Sequence, residues 1–267
     1  MSKPVTRSQL LLTDIAVARP SSTVVLVRAT DAEPELFLVQ RHAASSFGAA
    51  YAFPGGVVDP EDGAVHDFCK GLSSRTANAN LGVKRDGLDY YSAAVRELFE
   101  EAGVLLANPD DVAEGPEAAR DALNDNSENW ADFVQRNELD LLCHQLHYIS
   151  HWITPEQQAK RYSTRFFLAV MPSGQRAAHC GGELTNSCWM TAHDALAAGR
   201  EGAIKLHFPT IKTLETIERQ KTMGDLVDWA SSCVEWGITS MLPVVIERDG
   251  RPEIVMPGDK DYPGAKS

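Results

Sequence analysis

The most constraining feature of the sequence is a segment in which helical periodicity and clustered acidic residues coincide. Apolar or small side chains recur there at spacings of three and four, at Tyr91, Ala94, Val95, Leu98 and Ala102. This spacing predicts an α-helix over residues 89–102, and Gly103 follows where helices commonly end. Residues three and four positions apart share a helix face, so Glu97, Glu100 and Glu101 converge on the side opposite the apolar residues.

Three carboxylates within one helical turn repel one another, by a few tenths of a kcal/mol per pair when they are exposed. A hard divalent cation such as Mg²⁺ or Mn²⁺ removes this repulsion and prefers oxygen ligands. The alternative is a solvated acidic face in which Arg96 pairs with Glu100. A separate glycine turn, Gly55-Gly56, favours the metal, because backbone that has no Cβ can approach an ion closely.

The segment resembles a known family motif. Residues 96–104 match the second half of the Nudix box, Arg-Glu-U-x-Glu-Glu-x-Gly-U with U a bulky aliphatic residue, and Gly56 matches the glycine that opens the box. Asp62 stands where the family has a glutamate. Thirty-three residues separate Asp62 from Arg96 where the family has seven, which leaves an insertion of 26.

An interrupted box of this kind resembles the Nudix branch of the peroxisomal-type coenzyme A diphosphatases. The similarity spans about residues 20–247, with gaps. Segments that share it are residues 38–41, 53–59, 152–155, 161–168 and the late Leu242-Pro243 pair. The stretch between His42 and Ala52 departs from the coenzyme A signature of that branch.

The resemblance implies hydrolysis of a diphosphate by water attack on phosphorus, with Mg²⁺ or Mn²⁺ bound at the site. It assigns the metal to oxygen atoms of Glu97, Glu100, Glu101 and the carbonyl group of Gly55. Glu97 is either a third carboxylate ligand or the residue that activates water, and the identity of the base stays open among the glutamates. Arg96 orients the carboxylates. Glu183, in a loop before a strand that contains a tryptophan, is a further catalytic or metal-binding candidate, with a solvated loop residue as the alternative.

Four other charged residues are weaker candidates. Arg41 and Arg165 lie at predicted strand ends, where they would contact substrate phosphates or form salt bridges at the edge of the core. Glu61 and Asp62 could support the glutamate cluster, but their place in an inserted segment favours an exposed loop.

Net charge limits the partners. The chain has 37 acidic and 25 basic side chains and a formal charge of −12, which argues against binding to nucleic acid. A small phosphorylated substrate remains compatible, because a metal ion can supply positive charge. The odd number of cysteines, five, without a Cys-x-x-Cys pair predicts a reducing, cytoplasmic setting, and no apolar run predicts a membrane contact. The oligomeric state is not predicted.

Coenzyme A or acyl-coenzyme A is the first substrate that we expect. The alternatives are a pyrophosphatase acting on NADH or ADP-ribose, and a non-catalytic Nudix domain that senses a nucleotide. Retention of all three glutamates disfavours the non-catalytic alternative.

We expect one α/β domain, a Nudix-type α/β/α sandwich with a mixed sheet, a glutamate-bearing helix and extra helical insertions. The expected divisions are a lead-in at residues 1–19, the Nudix domain at 20–250 with insertions at about 63–88 and 108–138, and a tail at 251–267. Predicted strands are residues 22–28, 35–41, 141–153, 163–171, a strand that ends at 190, and 241–247. Predicted helices, besides that at 89–102, are residues 191–199, 209–220 and 226–235.

Overall fold

A mixed β-sheet forms the centre of the fold in the computed structural model, which describes residues 15–42, 48–182, 184–248 and 250–263. The strands are β1 (Arg19–Arg28), β2 (Glu35–Arg41), β3 (Ala50–Ala52), β4 (Gly55–Val57), β5 (His147–Ile153), β6 (Tyr162–Val170), β7 (Leu184–Thr191), β8 (Lys205–Leu206), β9 (Ser240–Met241), β10 (Val244–Arg248) and β11 (Arg251–Val255). Within these ranges, nine strands form the sheet, in the order β8-β3-β2-β1-β6-β5-β9, with β4 beside β1 and β7 beside β2. The remaining two, β10 and β11, form a separate hairpin.

Helices cover both faces of this sheet. They are α1 (Ser74–Leu81), α2 (Gly87–Ala102), α3 (Pro116–Asn124), α4 (Trp130–Arg136), α5 (Ala192–Arg200), α6 (Phe208–Ile217) and α7 (Met223–Trp236). β1 is parallel to β6 and antiparallel to β2 and β4, so the sheet is mixed. A parallel pair needs a long crossover connection, and the segment between β1 and β6 contains α1 to α4.

Alternation along β1 divides the apolar core into two layers. Val24 packs in the cluster that contains Leu98 of α2, whereas Val25 packs in the cluster that contains Leu214 of α6. Successive side chains of a strand point to opposite faces, so one run of valines and leucines supplies both layers. The predicted α/β/α sandwich is confirmed.

The helix predicted over residues 89–102 is confirmed as α2, which begins two residues earlier at Gly87. Gly103 ends it with φ of 69°, a left-handed conformation that glycine adopts without steric cost, and its N–H donates to the Phe99 carbonyl at 2.8 Å. The glutamate cluster is therefore placed on the last two turns of a capped helix.

The predicted helices after β7 are confirmed as α5, α6 and α7 with shifted ends. Thr191 caps α5 by accepting a hydrogen bond from the Asp194 backbone N–H. The acidic segment of residues 108–138 contains α3 and α4, as expected. Within the described ranges, none of the helices combines the length and the apolar character needed to cross a bilayer.

Two predictions about the insertion and the late strands are wrong in part. Residues 60–88 lack steady periodicity, which predicts an inserted loop with one short helix, but the structure has two helices there, the 3₁₀ helix Pro60–Phe68 and α1. The strand predicted from residue 141 begins at His147, because Cys143–Gln145 forms a 3₁₀ turn.

The strand predicted over 241–247 is divided into β9 and β10. Pro243 lies between them and has no backbone N–H to donate to a neighbouring strand. β10 then pairs with β11, so a hairpin crosses the expected boundary at residue 250.

Candidate active site

The two glycines of β4 allow α2 to approach the sheet closely. Gly55 and Gly56 pair with Thr23 and Ser22 of β1. A Cβ atom added to Gly56 would lie 2.3 Å from Oε1 of Glu97, so the carboxylate occupies the space that any side chain would need. A Cβ atom at Gly55 would lie 2.4 Å from the Ser22 carbonyl oxygen. Glycine is therefore required at both positions for the helix and the strand to meet.

Glu101 and Arg41 join this glycine corner to β2. The Gly55 N–H donates to Oε2 of Glu101 at 2.7 Å, and Nη2 of Arg41 donates to the Gly55 carbonyl oxygen at 2.7 Å. The same Nη2 lies 3.4 Å from Oε1 of Glu101. Arg41, a weak candidate in the sequence, thus lies inside the acidic cluster.

Arg96 organises the other two glutamates. Its Nη1 donates to Oε1 of Glu97 at 2.8 Å and to Oε2 of Glu100 at 3.2 Å. On its other edge, Nε and Nη2 donate to the two carboxylate oxygens of Asp62 at 3.1 and 3.0 Å, and Nη2 also donates to the Val57 carbonyl at 2.8 Å. This paired geometry fixes the plane of the guanidinium, and with it both glutamates.

Asp62 is a residue whose environment the sequence predicted wrongly. The expectation of an exposed loop is wrong, because Asp62 is 0% exposed and also accepts hydrogen bonds from Ser92 Oγ and the Asp59 backbone N–H. The 3₁₀ helix that follows Asp59 folds back onto α2, although the two segments are far apart in the chain. One signal was available: Asp62 lies six positions after Gly56, where the family has its glutamate.

Glu61 serves a different element. Its Oε2 accepts a hydrogen bond from the Trp130 backbone N–H at 2.9 Å, at the start of α4. The Trp130 indole donates to Ser92 Oγ, which in turn donates to Asp62. Hydrogen bonds therefore connect the 3₁₀ helix Pro60–Phe68 and α4 to each other and to α2.

Burial shifts the pKa values of the carboxylates in the cluster. Burial raises the pKa of Glu97 to about 8, with Arg96 opposing the rise and the charges of Glu101 and Glu100 adding to it. Burial also raises the pKa of Glu100 and of Asp62. Burial by itself lowers the pKa of Arg96, but Glu97, Asp62 and Glu100 together raise it.

The oxygen atoms of Glu97, Glu100, Glu101 and the Gly55 carbonyl are chemically suited to bind a divalent cation. Their positions in this structure, however, do not form a metal site. Among the described residues, no three Asp, Glu, His or Cys side chains are placed so that they could hold a metal ion. A positive nitrogen instead bridges each pair of oxygens: Arg96 Nη1 joins Glu97 to Glu100, and Arg41 Nη2 joins Glu101 to the Gly55 carbonyl. Carboxylate and carbonyl oxygens are the hard ligands that Mg²⁺ and Mn²⁺ prefer.

Glu183 lies outside the described residues. Arg165 is described, but it is not brought into this cluster. Arg165 of β6 is buried, and its Nη1 donates to Tyr90 Oη at 3.2 Å and to Ser163 Oγ at 2.9 Å. β1 separates Arg165 from Gly56, because Ser22 pairs with both residues. A substrate contact of Arg165 stays a prediction.

Comparison with solved structures identifies the class of fold. The crystal structure of a Nudix hydrolase from Alicyclobacillus acidocaldarius superposes with a TM-score of 0.65 at 23% identity, covering 78% of this chain and 95% of that one. At this identity the likeness establishes the fold. Together with the glutamate helix beside the glycine corner, it defines a Nudix-type protein.

Comparison of sequences identifies the family. The family model described as the NUDT19 Nudix domain matches residues 85–217. The human acyl-coenzyme A diphosphatase NUDT19 is 27% identical over 289 residues, which cover 92% of this chain and 77% of the human protein. The Xenopus laevis protein of the same name is 24% identical and covers 86% of this chain and 71% of its own length. The chain belongs to the Nudix hydrolase family.

Proposed function

We propose that this protein hydrolyses the diphosphate linkage of coenzyme A or an acyl-coenzyme A, and that it requires Mg²⁺ or Mn²⁺. The observation that carries the proposal is the position of Glu97 and Glu101 against the Gly55-Gly56 corner, with Glu100 joined to Glu97 through Arg96. The substrate class is supported by the name acyl-coenzyme A diphosphatase, which relatives carry over 86–92% of this chain.

Each residue of the cluster has a proposed role. Glu100, Glu101 and the Gly55 carbonyl hold the cation, and Glu97 either adds a third carboxylate or accepts the proton of the attacking water. Arg96 is a positioning residue, because its donors are used on carboxylates and the Val57 carbonyl. A bound divalent cation would stabilise negative charge on the phosphoryl oxygens and offset the repulsion between an acidic site and an anionic substrate.

The proposed reaction replaces one bond to phosphorus by another. The water oxygen bonds to a phosphorus atom of the diphosphate, the bridging P–O bond breaks, and a carboxylate of the site takes up the proton. Coenzyme A would give 3′,5′-ADP and a phosphopantetheine. Arg41 lies beside the cluster and is proposed to contact a substrate phosphate, while Glu183 and Arg165 remain proposed participants without a placed role.

Charge-removing variants test the metal-binding role. Glu100→Gln and Glu101→Gln should each lower kcat/KM by about two orders of magnitude or more, because an amide replaces a charged oxygen ligand. Far-ultraviolet circular dichroism and the Tm should stay close to those of the parent protein. Glu117→Gln, an exposed position on α3, is the matched control and should keep full activity. Full activity in both cluster variants would reject their role.

A substrate panel tests the chemistry. Purified protein with Mn²⁺ at mildly alkaline pH is incubated with coenzyme A, acetyl-coenzyme A, NADH, ADP-ribose and nucleoside triphosphates, and the products are separated by chromatography. Preferential cleavage of coenzyme A or its thioester supports the proposal. Preferential cleavage of NADH or ADP-ribose would replace the substrate class. Binding of a nucleotide without turnover of any compound would indicate a sensing domain instead.

A further inference from the structure

Arg41 contacts two of the oxygen atoms that are proposed to hold the cation. Its Nη2 donates to the Gly55 carbonyl oxygen at 2.7 Å and lies 3.4 Å from Oε1 of Glu101. A guanidinium group of the chain itself is therefore the counter-charge at this part of the acidic cluster.

The two oxygen atoms are held in place by contacts that do not involve Arg41. The Gly55 N–H donates to Oε2 of Glu101 at 2.7 Å, and Gly55 pairs with Thr23 of β1. These oxygens belong to β4 and α2, whereas Arg41 is the last residue of β2. The Arg41 side chain can therefore move away while the Gly55–Glu101 contact stays intact.

The two arginines of the cluster differ in how firmly they are held. Arg96 donates through Nε, Nη1 and Nη2 to three carboxylates and a carbonyl group, and its side chain is 7% exposed. Among the described residues, the partners of Arg41 are reached through Nη2 alone, and its side chain is 24% exposed. Release of Arg96 would leave a buried charge without partners, whereas release of Arg41 brings a half-buried charge to water. Arg41 is consequently the cation of the pair that can be exchanged.

A divalent cation and the Arg41 guanidinium compete for these oxygens. Carboxylate and carbonyl oxygens are the ligands that Mg²⁺ and Mn²⁺ prefer. Two positive groups on the same pair of oxygens repel each other, and the repulsion is stronger in a partly buried site than in water. The ion carries two charges and the guanidinium one, so the acidic cluster favours the exchange.

We propose that Arg41 and the divalent cation compete for Gly55 and Glu101, and that binding of the cation releases the Arg41 guanidinium to receive a phosphate of the substrate. The inference rests on the proposed metal requirement and adds an order to it, with the cation bound before the substrate. A guanidinium that has left its carboxylate presents paired N–H donors, which match the oxygens of a phosphate. Arg41 is thus a counter-charge in one state of the site and a phosphate-binding residue in the other.

Binding of Mn²⁺ to the full chain tests the competition without turnover. The electron paramagnetic resonance signal of free Mn²⁺ gives the Kd for the parent protein and for Arg41→Gln. The variant should bind Mn²⁺ about tenfold more tightly, because the ion no longer has to displace a positive group.

Arg28→Gln is the matched control for the change in net charge. Arg28 is exposed and pairs with Glu35 at the other end of β2. Its removal changes the charge of the protein by the same amount, but the Kd for Mn²⁺ should equal that of the parent. Equal tightening in Arg28→Gln and Arg41→Gln would assign the effect to net charge and reject the competition.

Substrate kinetics should change in the opposite direction. At saturating Mn²⁺, Arg41→Gln should raise the KM for coenzyme A about tenfold and lower kcat less, because a charge-assisted contact with a phosphate is lost. A residue that only supports the fold would weaken the binding of both Mn²⁺ and coenzyme A. Tighter binding of the metal together with weaker binding of the substrate is therefore specific to the proposed exchange.

Two further results would overturn the proposal, and they have different consequences. A Kd for Mn²⁺ that is unchanged or higher in Arg41→Gln would reject the competition and leave the proposed metal requirement standing. No binding of Mn²⁺ to the parent at millimolar concentration would reject both. If Arg41→Gln does not fold by circular dichroism, Arg41→Met replaces it with the same expected results, because it keeps the apolar part of the side chain.

Discussion

Arg96 is the residue on which the geometry of the acidic cluster depends most. Its guanidinium donates to three carboxylates and one carbonyl, and its side chain is buried. An ammonium group could not replace it, because a lysine lacks the planar fork that meets both oxygens of Asp62 while reaching Glu97. The i,i+4 pairing of Arg96 with Glu100, which the sequence offered as an alternative to a metal site, exists within the same network.

His151 makes the stability of the fold depend on pH. Its two ring nitrogens lie 2.7 Å from Ser240 Oγ and 2.8 Å from Ser163 Oγ. Burial, with a smaller contribution from the charge of Arg165, lowers the pKa of His151 to about 4. Between pH 6.5 and 4 the unfolded chain therefore binds a proton at this residue that the folded chain does not.

His151 should therefore lower the free energy of unfolding as the pH decreases through this range, by up to about 3 kcal/mol, whereas the raised pKa of Glu97 acts in the opposite direction. Urea unfolding at pH 7.5 and pH 4.5 measures the net change for the parent and for His151→Gln, and the difference between the two isolates the contribution of His151. His144→Gln, an exposed position, is the control and should retain the parent's pH dependence. The same pH dependence in His151→Gln as in the parent would contradict the assignment.

The 3₁₀ helix Pro60–Phe68 acts on the site through α2. It carries Asp62 into the interior, where the carboxylate holds Arg96 from the side opposite Glu97 and Glu100. An insertion of this length would otherwise separate the two halves of the box. Folding back of the 3₁₀ helix restores their contact, so the interrupted motif still forms one site.

Asp62→Asn tests this contact between elements. Loss of the charge leaves Arg96 buried with a weaker partner, and we expect a loss of about 3 kcal/mol in the free energy of unfolding. The kcat should fall more than KM rises, because Asp62 positions the glutamates and is buried away from solvent.

The control is Asp59→Asn, whose side chain is 52% exposed and lies 3.8 Å from Arg96. The free energy of unfolding of Asp59→Asn should be lower than that of the parent by less than about 1 kcal/mol, as for exposed ion pairs. Equal losses of unfolding free energy in Asp62→Asn and Asp59→Asn would show that the buried Asp62–Arg96 contact stabilises the fold no more than an exposed one.

The whole molecule depends on two core layers that share one sheet. Leu98 on α2 and Leu168 on β6 are both completely buried, and they belong to different layers. Since each central strand contributes to both layers, neither layer can separate from the sheet without exposing the other.

Leu98→Ala and Leu168→Ala should therefore each cost about 2–5 kcal/mol and leave a single unfolding transition. Denaturant unfolding followed by both tryptophan fluorescence and circular dichroism gives the measurement. The exposed Val245 provides the control, Val245→Ala, with little change. Non-coincident transitions from the two probes would show that the layers unfold separately.

The sequence alone predicted the elements in which local pattern and tertiary environment agree. The periodicity of α2, its terminal glycine and the strand at residues 22–28 each follow from neighbouring residues. The convergence of Glu97, Glu100 and Glu101 follows in the same way, since helical geometry places residues three and four apart on one face.

Contacts between distant segments were decided by packing. The burial of Asp62, the entry of Arg41 into the acidic cluster and the separation of Arg165 from it depend on how strands and insertions pack in three dimensions. The place of Asp62 in an inserted segment favoured an exposed loop, but the buried guanidinium of Arg96 requires a carboxylate partner there. A local sequence pattern specifies which residues share a face of a helix or strand. The pairing of charged residues that are distant in the chain depends on the complete fold, because burial removes water from a charged group and makes an oppositely charged partner necessary.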